Sequence, residues 1–154
     1  MKKLKKVLFG FSWIVYLLVL VMLLFMGNRG YTWTELSLWE YIKIASNFTP
    51  FKTISTYIQA IMDDSMNLDI PIKNLAGNLF MFLPMGIYLP FYINKLNKGS
   101  IFIISMIILL FLIEAIQLVA RRGSFDIDDF ILNMLGALIG FGIWKTKIVQ
   151  KFIK

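Results

Sequence analysis

Asp126, Asp128 and Asp129 form the densest run of acids in a 154-residue chain that has neither cysteine nor histidine. Lacking those two residue types, the chain has no thiol nucleophile, disulfide, imidazole acid–base catalyst or ordinary zinc site. Its chemistry falls to carboxylates, carboxamides, hydroxyls and two of its three arginines, Arg121 and Arg122, beside the acidic run. Three helical stripes can be read from spacing alone. Asn74 and Asn78 stand at i and i+4, and Glu114, Gln117 and Arg121 at i, i+3 and i+7. Asp126, Asp129, Asn133, Gly136 and Gly140 follow a heptad-like repeat. Residues three, four and seven apart share one helix face, so each stripe presents its polar groups together. At a rise of 1.5 Å per residue, Glu114 lies about 10 Å along the helix from Arg121.

Two chemistries suit this set. Asn74, Asn78, Gln117 and Asn133 can supply neutral hydrogen bonds to a ligand, while Arg121 holds a phosphate or carboxylate by a charge-assisted bond. Alternatively Glu114, Asp126 and Asp129, with asparagine carbonyls, make an oxygen-only set of the kind that takes Mg²⁺, Mn²⁺ or Ca²⁺. A metal there could polarise a phosphoryl oxygen. Plainer roles stand beside both. Glu114 can pair with Arg121, Asp126 can cap a helix with Asp129 in its first turn, and the asparagines can tie helices together. Asp128 falls off the stripe and is expected to be solvated. Gly136-x-x-x-Gly140 with Ala137 reads as close helix packing.

These residues must be positioned by membrane helices. The chain is 58% hydrophobic, against about 45–50% in soluble domains. Four stretches approach the roughly 20 apolar residues a span needs: about 7–26, 74–93, 101–120 and 130–144. The first follows Lys2, Lys3, Lys5 and Lys6, but its apolar run is longer than the 7–15 residues of a signal peptide, and it is expected to remain as an anchor. Pro84 should kink the second. With the N-terminus inside, residues 1–6, the loop 94–100 and the tail from Lys145 hold ten lysines and no acid. All nine acids then lie on the other side. Lys/Arg bias in short loops sets orientation, so both termini are expected in the cytoplasm and the polar site outside. The net charge of +7 then serves topology and anionic lipid. No basic patch interleaved with stacking aromatics points to nucleic acid, and no cofactor is expected.

The connection over residues 27–73 is too rich in aromatics, including Trp33, Trp39, Tyr41, Phe48, Phe51 and Tyr57, to be a flexible linker. Thr32-x-x-Glu35 and Ser37-x-x-Glu40 both fit a capping box, which places a helix start near Trp33 or Leu38. Ile54, Tyr57, Ile58, Ile61 and Met62 repeat with helical spacing. Such amphipathic segments lie in the headgroup plane or pack over a bundle mouth.

Four ordered motifs carry a family resemblance: Asn47-Phe-Thr-Pro50-Phe51-Lys-Thr-Ile54; Asn74-Leu-x-Gly-Asn78-x-x-x-Phe82-x-Pro84-x-Gly86; Glu114-x-x-Gln117; and Arg121-x-Gly-Ser-Phe-Asp126-Ile-Asp-Asp129-x-x-x-Asn133-x-x-Gly136. Over about residues 47–142 the chain resembles the VanZ-like membrane proteins. The resemblance implies a bacterial plasma membrane and a cell-envelope role. The family's namesake is associated with resistance to teicoplanin, a glycopeptide antibiotic that targets cell-wall precursors outside the membrane. It supplies no reaction. Many longer relatives carry a histidine motif in an earlier span, and with no histidine here any mechanism needing one does not carry over.

The expectation is therefore an all-α integral membrane protein, a single domain over residues 1–154 with four spans, both termini cytoplasmic and a helical external loop. Its polar site, drawn from Asn74, Asn78, Glu114, Gln117, Arg121, Asp126, Asp129 and Asn133, opens outward between the last three spans. The leading reading is binding or masking of a lipid-linked cell-wall precursor or glycopeptide antibiotic in contact with membrane lipid. The alternatives are a metal-dependent enzyme acting on a lipid-linked phosphate, with Glu114, Asp126 and Asp129 as candidate catalytic groups, and a small flippase or transporter. The sequence leaves the oligomeric state open.

Overall fold

The structure, a computed structural model, describes residues 2–26 and 36–153. It is mostly helical, and four of its helical stretches are long and apolar enough to cross a membrane: residues 3–25, 69–92, 99–119 and 127–145. The first is α1, Lys2–Phe25, an unbroken helix whose last two turns bury Leu20 and Leu24. The second is two helices in series, α4 (Asp69–Met81) and α5 (Leu83–Tyr92), separated at Phe82. Pro84 sits in the first turn of α5, where its missing N–H costs nothing and its fixed φ suits a helix start. The expected kink is thus a complete break. The third and fourth are α6 (Gly99–Val119) and α7 (Ile127–Lys145), with a 3₁₀ turn at Asn94–Asn97 leading into α6. A short helix, α8, Lys147–Ile153, follows. The second span begins five residues earlier than its apolar run, so residues 69–73 belong to the bundle rather than to the loop.

Close backbone approach dominates the packing of the second and fourth spans. A Cβ built on Gly136 would lie 1.9 Å from the Leu79 carbonyl oxygen, one on Gly140 1.9 Å from that of Leu83, and one on Gly86 2.2 Å from that of Ala137. Nothing but hydrogen fits at these three positions. The order of contacts, 79 with 136 and 83 with 140, shows that α4–α5 and α7 run parallel. Around this pair Phe82, Met85, Phe102, Met106, Leu110 and Ala137 form the buried core, with Leu20 and Leu24 of α1 at its edge. At the end of the 3₁₀ turn, Asn97 clasps the bundle, its side-chain oxygen accepting from the Trp144 indole at 2.8 Å and its carbonyl from Lys145 Nζ at 2.6 Å.

The loop is built. Ser37 and Glu40 form the expected capping box at the start of α2, Leu38–Ile44, while the Thr32/Glu35 pair and Trp33 lie outside the described residues. A two-residue parallel bridge follows, β1 (Ser46–Asn47) pairing with β2 (Phe125–Asp126). The expected second amphipathic segment is α3, Lys52–Asp63. It exposes Ile58, Ile61 and Met62 on one side.

Candidate functional site

Two of the three aspartates hold the loop. Asp126 is the N-cap of α7: its Oδ1 accepts from the Asp128 N–H at 2.9 Å and from Asn47 Nδ2 at 3.2 Å, and its Oδ2 from the Thr53 hydroxyl at 2.6 Å. Asp128 is fully buried, which overturns its expected solvation. Its carboxylate accepts the backbone N–H groups of Phe51 at 2.5 Å, Thr53 at 2.7 Å and Ile54 at 3.0 Å. These donors belong to the first turn of α3, where helical N–H groups have no partner within the helix and the dipole favours negative charge. Asp128 therefore caps a helix that lies some 75 positions upstream in sequence. It also holds Phe51 in left-handed backbone, φ 63°, a conformation uncommon outside glycine.

Tyr41 and Arg121 tether the other end of the loop. The Tyr41 hydroxyl donates to the Gly123 carbonyl at 2.7 Å, and Arg121 Nη2 donates to the Leu36 carbonyl at 2.8 Å while its guanidinium lies 5.6 Å from the centre of the Tyr41 ring. α6 stops at Val119, and Arg121 adopts φ 53°. The helical spacing that put Arg121 in a stripe with Glu114 thus ends two residues short of it. Gln117 turns the other way, donating to the Leu24 carbonyl at 2.7 Å and so tying α6 to the last turn of α1. Glu114 is buried one turn earlier on the same helix.

What remains is a polar set on the α4–α7 seam. Asn78 Nδ2 donates to Asp129 Oδ1 across the two helices. One turn before Asn78 stands Asn74, and one turn after Asp129 stands Asn133. The side-chain oxygens of both asparagines are buried without a hydrogen-bond partner among the described residues, and Asn133 as a whole is 3% exposed. Tyr57 of α3 lies close enough to Asp129 and Asp126 to feel their charge. Burial raises its hydroxyl pKa, and the negative charges of Asp129 and then Asp126 raise it further, so Tyr57 keeps its proton and its capacity to donate. Among the described residues no group of three or more acids is placed to hold a metal. The grouping of Glu114, Asp126 and Asp129 that a hard-cation site needs is not assembled, because Asp126 is committed to α3.

The eight predicted positions thus divide. Asn74, Asn78, Asp129 and Asn133 share the seam, Asp126 joins the loop latch, Gln117 binds α1, Arg121 binds the loop, and Glu114 is buried on α6. Sequence reasoning missed Asn47, Thr53 and Asp128 as partners and Tyr57 as a neighbour of the acids. The Asn47 to Ile54 motif was the available signal, since its polar residues are those that meet the α7 aspartates.

In a comparison with known families, the VanZ/LLP1 family model covers residues 13–150. The chain belongs to the VanZ/LLP1 family. No curated protein matches it, and no solved structure does. The match runs from the middle of α1 through α7 into α8, so the latch, the seam and the glycine contacts all fall within the VanZ/LLP1 region.

Proposed function

We infer that this VanZ-like membrane protein has a cell-envelope role: it binds a wall precursor or an amphiphilic glycopeptide of the teicoplanin type at the membrane surface and so masks the antibiotic's target. The two unpartnered carboxamide oxygens on the seam carry this reading. An interhelical polar contact contributes about 0.6 kcal/mol, whereas a buried polar group left unsatisfied costs about 1–3 kcal/mol. If Asn74 and Asn133 served only to join helices, they would cost more than they contribute. A ligand that bonds to them removes that cost. The apolar face of α3, with the exposed rings of Phe48 and Phe51 nearby, offers contact area for the acyl part of an amphiphile. The partition of ten lysines from all nine acids supports a plasma-membrane orientation with both termini cytoplasmic and the seam's polar end outside.

The metal-dependent reading gains no support from the carboxylates, since both oxygens of Asp126 and both of Asp128 accept bonds from the loop. The test is the teicoplanin susceptibility of a sensitive bacterium expressing the wild type, Asn133→Leu or neither. A severalfold rise in the inhibitory concentration with the wild type, lost in the variant at equal membrane abundance, is the expected result. Unchanged susceptibility with the wild type sinks the resistance reading.

A further inference from the structure

We propose that the loop segment from Ser46 to Ile54 dips into the leaflet at its own end of the bundle, with the exposed rings of Phe48 and Phe51 among the acyl chains. The partner is the lipid surface itself, whatever the seam binds.

Two ring contacts bound the depth. α6 runs 21 residues from Gly99 to Val119, about 31 Å at 1.5 Å per residue, which matches the roughly 30 Å of a bilayer's hydrocarbon. From Ile101 to Val119 every exposed residue of this helix is apolar, so its last turn marks the edge of the hydrocarbon. Phe111, 55% exposed, stands two turns short of that edge, about 12 Å along the axis. Its side chain leans back toward the start of the helix and away from the edge. The Phe111 ring centre lies 6.1 Å from that of Phe125, and Phe125 lies 5.1 Å from Phe48. Even if both steps ran straight along the axis, they would not carry Phe48 past Val119. Phe48 is nevertheless 69% exposed, beside the apolar strip of α6 and continuous with it through Phe125. A ring left open at that depth faces lipid. Phe51, three residues on, is 62% exposed.

The backbone of the segment is prepared for such a place. Irregular chain at membrane depth is tolerated only where its polar groups are satisfied within the protein. Ser46 and Asn47 pair with Phe125 and Asp126. From Thr49 to Ile54 every N–H has an acceptor: Asn47 Oδ1 takes that of Thr49 at 3.2 Å, the Thr49 carbonyl takes that of Lys52 at 3.5 Å, and Asp128 takes those of Phe51, Thr53 and Ile54. Pro50 has none to give. The latch thus supplies the bonds that water would supply to an ordinary surface loop. Lys52 is the one charged side chain between Ser46 and Ile54, and its stem is long enough to carry the ammonium up to the headgroups.

The experiment uses the absence of cysteine from the chain. Nitroxide labels are attached to Phe48→Cys and to Thr49→Cys, with Leu112→Cys on the exposed side of α6 and Ser65→Cys on the exposed turn after α3 as references. The full chain is placed in vesicles of phosphatidylethanolamine and phosphatidylglycerol. Power saturation is measured with oxygen, which concentrates in hydrocarbon, and with a nickel chelate, which stays in water. The expected result is an oxygen-to-nickel accessibility ratio severalfold higher at positions 48 and 49 than at 65, and close to that at 112. Nickel access at 48 and 49 equal to that at 65 would place the segment in water and overturn the proposal. Low access to both reagents with spin–spin broadening would mean that a second copy of the chain covers the rings, which also overturns it. Thr49→Cys leaves both rings in place and decides the matter if Phe48→Cys does not fold. No antibiotic is present, so the outcome stands apart from the resistance reading.

Discussion

Asp128 performs at long range what a helix N-cap usually does from the next residue. Each hydrogen bond to a charged acceptor contributes about 1.5–3 kcal/mol, and this carboxylate receives three from the start of α3. Asp128→Asn keeps the volume but turns one acceptor into an N–H that faces other N–H groups. The expected cost is about 3 kcal/mol, read as a lower unfolding temperature in detergent and as faster hydrogen exchange at the Phe51, Thr53 and Ile54 amides. An unchanged exchange rate at those three positions would remove Asp128 from the latch. Its role could not be read from sequence because its partners are backbone groups, which have no residue type. Helical periodicity places Asp128 away from the Asp129–Asn133 face, and the natural conclusion is water. The face it does occupy is covered by a segment more than seventy residues away. Asp126 was legible, since an acid just before an apolar helical run is an N-cap signature.

At the level of elements, hydropathy located all four spans because a stretch of apolar residues sufficient to cross a bilayer leaves few alternatives. Their limits were less legible: α4 starts at Asp69, five residues before the apolar run, and is extended by the exposed Lys73–Asp69 pair at 2.8 Å. Proline predicted a kink in the second span, which the structure makes a break at Phe82, and the Gly136/Gly140 repeat predicted close packing, since both act through local sterics. Which carbonyls the glycines would meet was not legible, because that depends on the register between helices. Substitution separates these glycines sharply. Gly136→Ala drives a methyl into the Leu79 carbonyl and should cost about 1–3 kcal/mol or more. Gly142→Ala, with nothing within 4 Å of its new Cβ, should be neutral or stabilise by up to about 1 kcal/mol through helix propensity. Thermal unfolding of the two variants side by side checks the pair. Equal effects would mean that α4 and α7 do not meet backbone to backbone.

For the whole molecule, the loop elements α2, β1 and α3 dock at the same end of the bundle as β2 and the start of α7, while the 3₁₀ turn, the end of α7 and α8 gather at the other. With both termini cytoplasmic, a cysteine at exposed Ser65 should react with a membrane-impermeant maleimide in intact cells, and one at exposed Lys98 should react only after the membrane is opened. Labelling of both from outside would contradict the lysine partition as a guide to orientation.

The bond from Gln117 to the Leu24 carbonyl has a consequence for how the chain is assembled as it is made. Leu24 lies in the last described turn of α1, and the side chain that donates to its carbonyl comes 93 residues later. During vectorial synthesis α1 enters the bilayer first, and Ser12 and Tyr16 toward its N-terminal side can meet Tyr88 and the Met81 carbonyl once the second span has followed. Its terminal carbonyl gains the Gln117 amide only after the third span is in place. The first helix is thus fastened at one end, then at the other, and the order of those two events is written into the order of residues.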